Sequence, residues 1–214
     1  MISIIIPIKN EPYIQYLIND INSKLKATHE IIVVDESTEV PRINNAKLIR
    51  QKSTGLGNAF KEGLDYAKGD IIVLMDGDGS HNPEYIQKMI KHLKTHNIVL
   101  GSKLITGGKS EDTLPRKIVT QIFSLITRAI LWIHVKDPMS GFVVLKKNIL
   151  DKISLNPSGF KIALEIIYKS REAVYEYPIH FRKRKAGKSK VGFNMHGLRE
   201  AFRIVSLLFK LRFH

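Results

Sequence analysis

One stretch constrains the fold of this chain more than any other. From Gly69 to Ser80 it reads Gly-Asp-Ile-Ile-Val-Leu-Met-Asp-Gly-Asp-Gly-Ser, a short apolar run that stops on two carboxylates, Asp76 and Asp78. A run this short and this rich in β-branched residues is expected to be a strand buried on both faces, which points to a mostly parallel sheet covered by helices. The carboxylates then stand at the strand's carboxyl end, where open α/β sheets bind ligands. Side by side they repel each other and lose solvation unless a cation joins them. Oxygen donors at this spacing suit Mg²⁺ or Mn²⁺, with diphosphate oxygens completing the shell. Asp-Gly-Asp-Gly is also ordinary turn chemistry, so the rest of the chain must decide between the two readings.

The chain has 214 residues, enough for one domain with a substantial core, and its 43% hydrophobic content is that of a globular protein. It has no cysteine, so any metal is held by oxygen or histidine. A formal net charge of +14 implies an anionic partner: nucleic acid, an acidic membrane surface or a phosphorylated substrate. The opening Met-Ile-Ser-Ile-Ile-Ile-Pro lacks a basic n-region and is too short for a signal peptide. It is expected to be the first strand of a protein on the cytoplasmic side.

Further along, Ile2–Ile6, Glu30–Val34, Lys47–Arg50, Asp70–Met75, Asn97–Leu100 and Val143–Leu145 read as strands. Between and after them, 13–26, 56–67, 82–95, 148–153 and 161–170 read as helices, and the alternation predicts an α/β fold. Glycines at Gly55 and Gly57 open the second helix, a position that admits an anion or simply a loop. Gly107-Gly108-Lys109-Ser110 is expected to be a mobile loop, because the strand-loop spacing of a P-loop is absent. Residues 117–135 form the most apolar long segment, yet Gln121, Thr127, Arg128 and His134 interrupt it, so it falls short of a membrane span. It is either a core helix or a helix lying in a membrane interface, with Trp132 near headgroup depth. Tyr175–Phe181 reads as an edge strand containing Pro178. After it, 182–190 carries six Lys or Arg and no acid, which is a solvated basic segment or a flexible anion clamp. Residues 198–213 form an amphipathic basic and aromatic helix suited to an anionic membrane surface or a partner helix.

In order along the chain stand Ser-Ile-Ile-Ile-Pro-Ile-Lys-Asn-Glu, Ile-Val-Val-Asp-Glu-Ser, Gly-Leu-Gly-Asn-Ala-Phe, Met-Asp-Gly-Asp-Gly-Ser-His-Asn-Pro-Glu, Gly-Ser-Lys, Asp-Pro-Met-Ser-Gly-Phe and Gly-Lys-Ser-Lys. This series resembles the family 2 glycosyltransferases over nearly the whole chain, and most of all their polyprenyl-phosphate branch, typified by dolichyl-phosphate mannose synthase. The resemblance implies an A-type, Rossmann-like nucleotide-diphospho-sugar transferase fold with a catalytic domain over 1–195 and an amphipathic helix over 196–214. It implies inverting transfer of a hexose, mannose from GDP-mannose first, to a polyprenyl phosphate. Pro7, Lys9, Glu11, Val33 and Asp35 fall where the family cradles the nucleoside. Asp76, Gly77 and Asp78 match its Asp-x-Asp, with Ser80 where a further metal-contacting side chain often sits. Lys103, which the resemblance also places among the nucleotide-sugar-binding residues, takes the place of a frequent Arg, and Lys9 that of a frequent Tyr. The first change keeps charge without the bidentate fork and the second loses a stacking ring, so donor identity is less constrained. Arg184 and Lys190 match the basic pair that closes over the diphosphate and acceptor phosphate. Arg116, Asp137 and Glu165 match positions on the acceptor side.

The inventory suits that chemistry. An acceptor phosphate is already an anionic nucleophile, so no strong general base is required, whereas the departing nucleoside diphosphate needs its charge neutralised by metal and by Arg or Lys. Catalysis is therefore expected from Asp76, Asp78, Arg184 and Lys190, with Mg²⁺ or Mn²⁺. Many members carry transmembrane helices after the catalytic domain, whereas this sequence stops at His214. A peripheral protein at the cytoplasmic membrane face is expected, docked by amphipathic helices on anionic lipid or by a small membrane partner. The competing readings are a UDP-sugar-dependent transferase, acting on the same lipid or a soluble acceptor, and a basic RNA-binding module. The second would want aromatics interleaved with the bases, and 182–190 contains none, so no nucleic-acid partner is expected.

Overall fold

The computed structural model describes residues 1–156, 161–185 and 195–213. Nine strands and six α-helices follow in the order β1 (Ile2–Ile8), α1 (Ile14–Lys24), β2 (His29–Asp35), β3 (Lys47–Arg50), α2 (Leu56–Leu64), β4 (Ile71–Leu74), α3 (Glu84–Ile90), β5 (Ile98–Ser102), β6 (Lys109–Ser110), α4 (Leu114–Leu131), β7 (Val143–Lys146), α5 (Ile162–Ser170), β8 (Val174–Pro178), β9 (His180–Phe181) and α6 (Met195–Phe213) among the described residues. Seven strands form one sheet in the order β3-β2-β1-β4-β7-β5-β8. The β1–β2, β2–β3, β1–β4 and β5–β8 pairs are parallel, while β7 runs antiparallel to both β4 and β5.

The apolar runs become strands because both faces of the sheet are covered. Along β1, Ile2, Ile4, Ile6 and Ile8 face a core with Leu17, Ile18 and Ile21 of α1 and Ile86 and Met89 of α3. Ile5 faces the other core, with Ala59 and Phe60 of α2 and Ile162 and Ile166 of α5. Each such side chain contributes roughly 1.5–3 kcal/mol when fully buried. A third cluster joins Leu131 of α4 and Leu164 of α5 to Ile204, Leu207, Leu208 and Leu211 of α6.

The chain leaves β1 through α1 to β2 on one side and returns through α2 to β4 on the other. This reversal opens a crevice at the carboxyl ends of β1 and β4, the position at which such sheets take ligands. Pro7 and Asp76 both line it.

Several local expectations are corrected. The helix expected over 82–95 turns into a 3₁₀ segment at Lys91–Lys94, and that over 148–153 is entirely 3₁₀, Lys147–Lys152. The loop expected at 107–110 ends in strand β6, which pairs in parallel with β9. The single strand expected over 175–181 is two, because Pro178 has no N–H to continue a ladder. Val174–Pro178 closes the edge of the large sheet, while Ile179 donates to the Ser102 carbonyl at 3.0 Å and redirects the chain to β6.

Candidate active site

The crevice holds a cavity of about 330 Å³ lined by Pro7, Lys9, Glu11, Asp76, Gly77, Asp78, Lys103, Arg116, Asp137 and Arg184 among the expected site residues. Also lining it, and not singled out from the sequence, are His81, Asp112, Ser140, Gly141, Lys161 and Phe181.

Asp76 and Asp78 follow directly on β4, whose register against β1 and β7 fixes their height above the sheet. Gly77 between them has no room for a side chain, as a Cβ there would lie 2.6 Å from Ile8 Cγ2. Arg184 Nε pairs with Asp78 Oδ2 at 2.8 Å, and Asp78 Oδ1 accepts the Ser80 backbone N–H at 3.0 Å. The Arg184 segment is held down by its backbone, with Arg182 N–H on the Ser80 carbonyl and Lys185 N–H on the Asp78 carbonyl. His81 Nδ1 accepts the Asp76 N–H at 3.2 Å, and the ring stacks on Phe142. Burial pushes its pKa down, so the ring is a neutral imidazole with its proton on Nε2.

Lys161, just ahead of α5, donates to the Met139 carbonyl at 2.6 Å. Burial pushes its ammonium down to about 8, although the charges of Asp76 and Asp137 favour the protonated form. Asp137 is itself buried, which raises its pKa, and its Oδ2 accepts the Lys103 N–H at 3.0 Å. Glu11 is likewise raised by burial, chiefly through desolvation, while its Oε1 accepts the Tyr13 N–H. On the opposite wall Asp112 meets both Lys103 Nζ, at 3.3 Å, and Arg116 Nη1, at 3.0 Å.

Four expected site residues lie behind the cavity lining. Val33 is wholly buried in β2 opposite Ile6. Asp35 is buried at the end of β2, accepting the Ser37 N–H at 2.9 Å and pairing with the Arg50 guanidinium. Ser80 is buried, and its hydroxyl has no hydrogen-bond partner among the described residues. Glu165 pairs with Lys169 at 2.7 Å and accepts the Asn156 N–H, which makes it a packing group at the back of α5. Lys190 lies outside the described residues, as does the rest of the basic segment beyond Lys185.

The donor set fits a divalent cation. Asp76 and Asp78 are hard oxygen donors on one short turn, and Gly141 leaves a cradle beside Asp76 in which a Cβ would come within 3.4 Å of both carboxylate oxygens. Six carboxylates and five Lys or Arg stand among the described lining residues, so a diphosphate entering this cavity needs further positive charge. No described group of three or more His, Asp or Glu could hold a metal alone. The remaining ligands would come from the diphosphate and water, the usual arrangement for Mg²⁺ on a nucleotide.

Helix α4 carries one wall of the cavity, through Arg116, Val119, Thr120 and Phe123. Its outward stripe is apolar, with Leu114, Ile118, Ile122 and Leu125 exposed at 70%, 46%, 49% and 60%. Trp132 beyond its end is 78% exposed beneath Arg212 of α6. Ser124 and Thr127 are buried instead. No described helix is long and apolar enough to cross a membrane.

The family model for Glycosyl transferase family 2 matches residues 3–154. The chain is 36% identical over 207 residues to the dolichol-phosphate mannosyltransferase of Pyrococcus furiosus, covering 89% of this chain and 59% of that protein. It is 28% identical to that of Saccharomyces cerevisiae, over 88% of this chain and 80% of the relative. The undecaprenyl-phosphate mannosyltransferase of Micrococcus luteus is 29% identical over 70% of this chain and 66% of its own length. The chain thus spans about three fifths of the Pyrococcus relative. Among solved structures, the Mycobacterium tuberculosis glucosyl-3-phosphoglycerate synthase with Mn²⁺, UDP-glucose and phosphoglyceric acid superposes with a TM-score of 0.73 at 21% identity, covering 99% of this chain and 79% of that one. At that identity the likeness is one of fold.

Proposed function

Because this chain belongs to glycosyltransferase family 2, we propose that it transfers a hexose, mannose from GDP-mannose, to a polyprenyl phosphate at a membrane surface, inverting the anomeric carbon. Its sheet and helices form the A-type glycosyltransferase fold. The observation that carries the reading is a single cavity in which Asp76 and Asp78 face Lys103, Arg116, Lys161 and Arg184, with an apolar helix stripe on the outer side of one wall. The names of the three mannosyltransferase relatives support the sugar and the lipid phosphate.

In this mechanism Pro7, Lys9 and Glu11 bind the nucleoside end, backed by Val33 and Asp35. Asp76 and Asp78 would hold Mg²⁺ or Mn²⁺, which when bound would supply charge neutralisation for the departing diphosphate. Arg184, with Lys190, binds the diphosphate and the acceptor phosphate. Lys103, expected from the sequence among the donor-binding residues, is assigned with Arg116 to the acceptor phosphate because the two share Asp112. An oxygen of that phosphate attacks the anomeric carbon in line, the bond to the diphosphate breaks, and the electron pair leaves with the nucleoside diphosphate. No residue has to remove a proton from the nucleophile. Two groups that could have served as a base are otherwise engaged, as Ser140 Oγ donates to the Gly101 carbonyl at 2.6 Å and His81 Nδ1 is held by Asp76 N–H.

The exposed stripe of α4, with Trp132, Phe209 and Phe213 nearby in the fold, is the surface that meets the lipid headgroups, directly or beside a small membrane partner. The fold also accommodates UDP-glucose in the mycobacterial synthase, so the test spans both bases. Thermal unfolding is followed with GDP-mannose and UDP-glucose, each with and without Mn²⁺, and labelled hexose is then chased into polyprenyl phosphate. GDP-mannose with Mn²⁺ is expected to raise the unfolding temperature, since a ligand of the folded state stabilises it by mass action. Stabilisation by UDP-sugars alone would overturn the mannose donor. Label that never enters the lipid phase would overturn the lipid acceptor.

A further inference from the structure

We propose that Asp112 is a positioning residue, which clamps Lys103 and Arg116 onto one carboxylate and so presents them as a fixed two-cation receptor for the acceptor phosphate. The proposal rests on the lipid-phosphate reading above.

Lys103 follows the end of β5 and Arg116 lies in the first turn of α4, so nothing in either element brings them together. Asp112 does. Its Oδ2 accepts from Lys103 Nζ at 3.3 Å and Ser110 Oγ at 3.1 Å, and its Oδ1 accepts from Arg116 Nη1 at 3.0 Å. The carboxylate is only 5% exposed, whereas Lys103 and Arg116 are 15% and 32% exposed. An enclosed carboxylate shared by two cations leaves the trio with one net positive charge. Both cations keep further N–H donors, because an ammonium has three and a guanidinium five. All three residues line the cavity.

The clamp is anchored from behind. Its segment follows β6, which pairs with β9, and Glu111 N–H donates to the Phe181 carbonyl at 2.9 Å. Phe181 lies under Lys103, with Nζ 4.1 Å from the ring centroid. Past Phe181 the chain runs to Arg184 on Asp78, so one small sheet sets both basic walls. The occupant follows from position. Arg184 stands on the metal-site carboxylate, whereas Arg116 is on the cavity-facing side of α4, the helix whose outward side exposes Leu114 and Ile118. A phosphate on a lipid lying against that helix would therefore reach Arg116 from the cavity mouth.

A plain counter-ion and a clamp predict opposite outcomes. If Asp112 only neutralised charge, Asp112→Asn would leave the cavity more positive and bind phosphate more tightly. If it positions, the same change releases both cations and weakens binding. The test uses the full chain with farnesyl phosphate as a soluble prenyl phosphate, measuring its binding in the presence of Mn²⁺ and GDP, together with the KM and kcat of transfer. Asp112→Asn is expected to weaken farnesyl phosphate tenfold or more and to raise its KM alike, with GDP affinity within twofold of wild type. Asp112→Glu, which keeps the charge but moves it by one methylene, is expected to weaken it at least threefold, and it decides the matter should the Asn variant fail to bind GDP. Binding by both variants as tight as wild type, or tighter, overturns the clamp alone. A wild type that binds GDP but not farnesyl phosphate overturns the lipid-phosphate acceptor and the clamp with it.

Discussion

Lys161→Met removes a buried ammonium while nearly keeping its volume, and the effect on stability must depend on pH. In the folded protein burial lowers the Lys161 pKa from 10.5 to about 8. Between those values the unfolded chain binds a proton that the folded one does not, so wild-type stability rises with pH through that window. The folded pKa is the depressed one, so the stability is complete above 10.5 and lost as pH falls to about 8. A shift of this size corresponds to about 3 kcal/mol, with a limiting slope of about 1.4 kcal/mol per pH unit. The variant lacks the titration but leaves the Met139 carbonyl without its donor, a constant cost of about 1–3 kcal/mol. Urea unfolding of both proteins in metal-free buffer, at intervals from pH 7 to 10, separates the two contributions. Expressed as variant minus wild type, the stability difference should rise by most of 3 kcal/mol as pH falls from 10 to 8, and then level off. Parallel curves across the range would refute the argument, because they would mean that the ammonium keeps its solvation or has it fully replaced by Asp76 and Asp137.

The remaining expectations concern the metal turn and the surface. Asp78→Ala should lower transfer by on the order of a hundredfold or more and abolish Mn²⁺-dependent nucleotide binding, while circular dichroism stays that of the wild type; full turnover would remove Asp78 from the site. Gly77→Ala should cost about 1–3 kcal/mol in urea unfolding, because its Cβ must push Ile8 aside at 2.6 Å; an unchanged midpoint would mean that the turn relaxes freely. On flotation, the protein should bind anionic liposomes in low salt and leave them in high salt, where the Debye length contracts to about 3 Å at 1 M. If it stays unbound in low salt, either a partner supplies the anchor or the acceptor is not a membrane lipid.

The sheet was legible because its strands are apolar on both faces, and a run such as Ile71–Leu74 has few other ways to be buried. The Asp76 and Asp78 turn was legible for the same reason, since the strand's end places them. Strand β6 was not. Two residues have no periodicity, and Lys109–Ser110 is a strand only because Pro178 sends His180 and Phe181 alongside it. Asp112 was hidden with it, as its partners lie on β5's end and α4. On α5 the sequence drew attention to Glu165, but the cavity meets only the helix's beginning. Lys161 therefore reaches the cavity, while Glu165, one turn later, is neutralised by Lys169.

The net charge of +14 suggested basic residues drawing phosphates into the site, but the described cavity carries at least as many carboxylates as Lys and Arg. Among the described residues, part of the surplus lies on the outside. Lys117, Lys136, Lys210 and Arg212 are exposed on or beside α4 and α6, the helices that also expose Leu125, Trp132 and Phe213. Two tasks that the composition merged are thus divided in space. Under the proposed function, phosphate recognition would fall to a few cations, each held by a carboxylate, as Arg184 is by Asp78 and Arg116 by Asp112. Long-range attraction to an anionic surface would fall to exposed lysines and arginines such as these. Salt should therefore weaken membrane docking far more than it weakens binding of a soluble prenyl phosphate, because exposed charges are screened and enclosed pairs much less so.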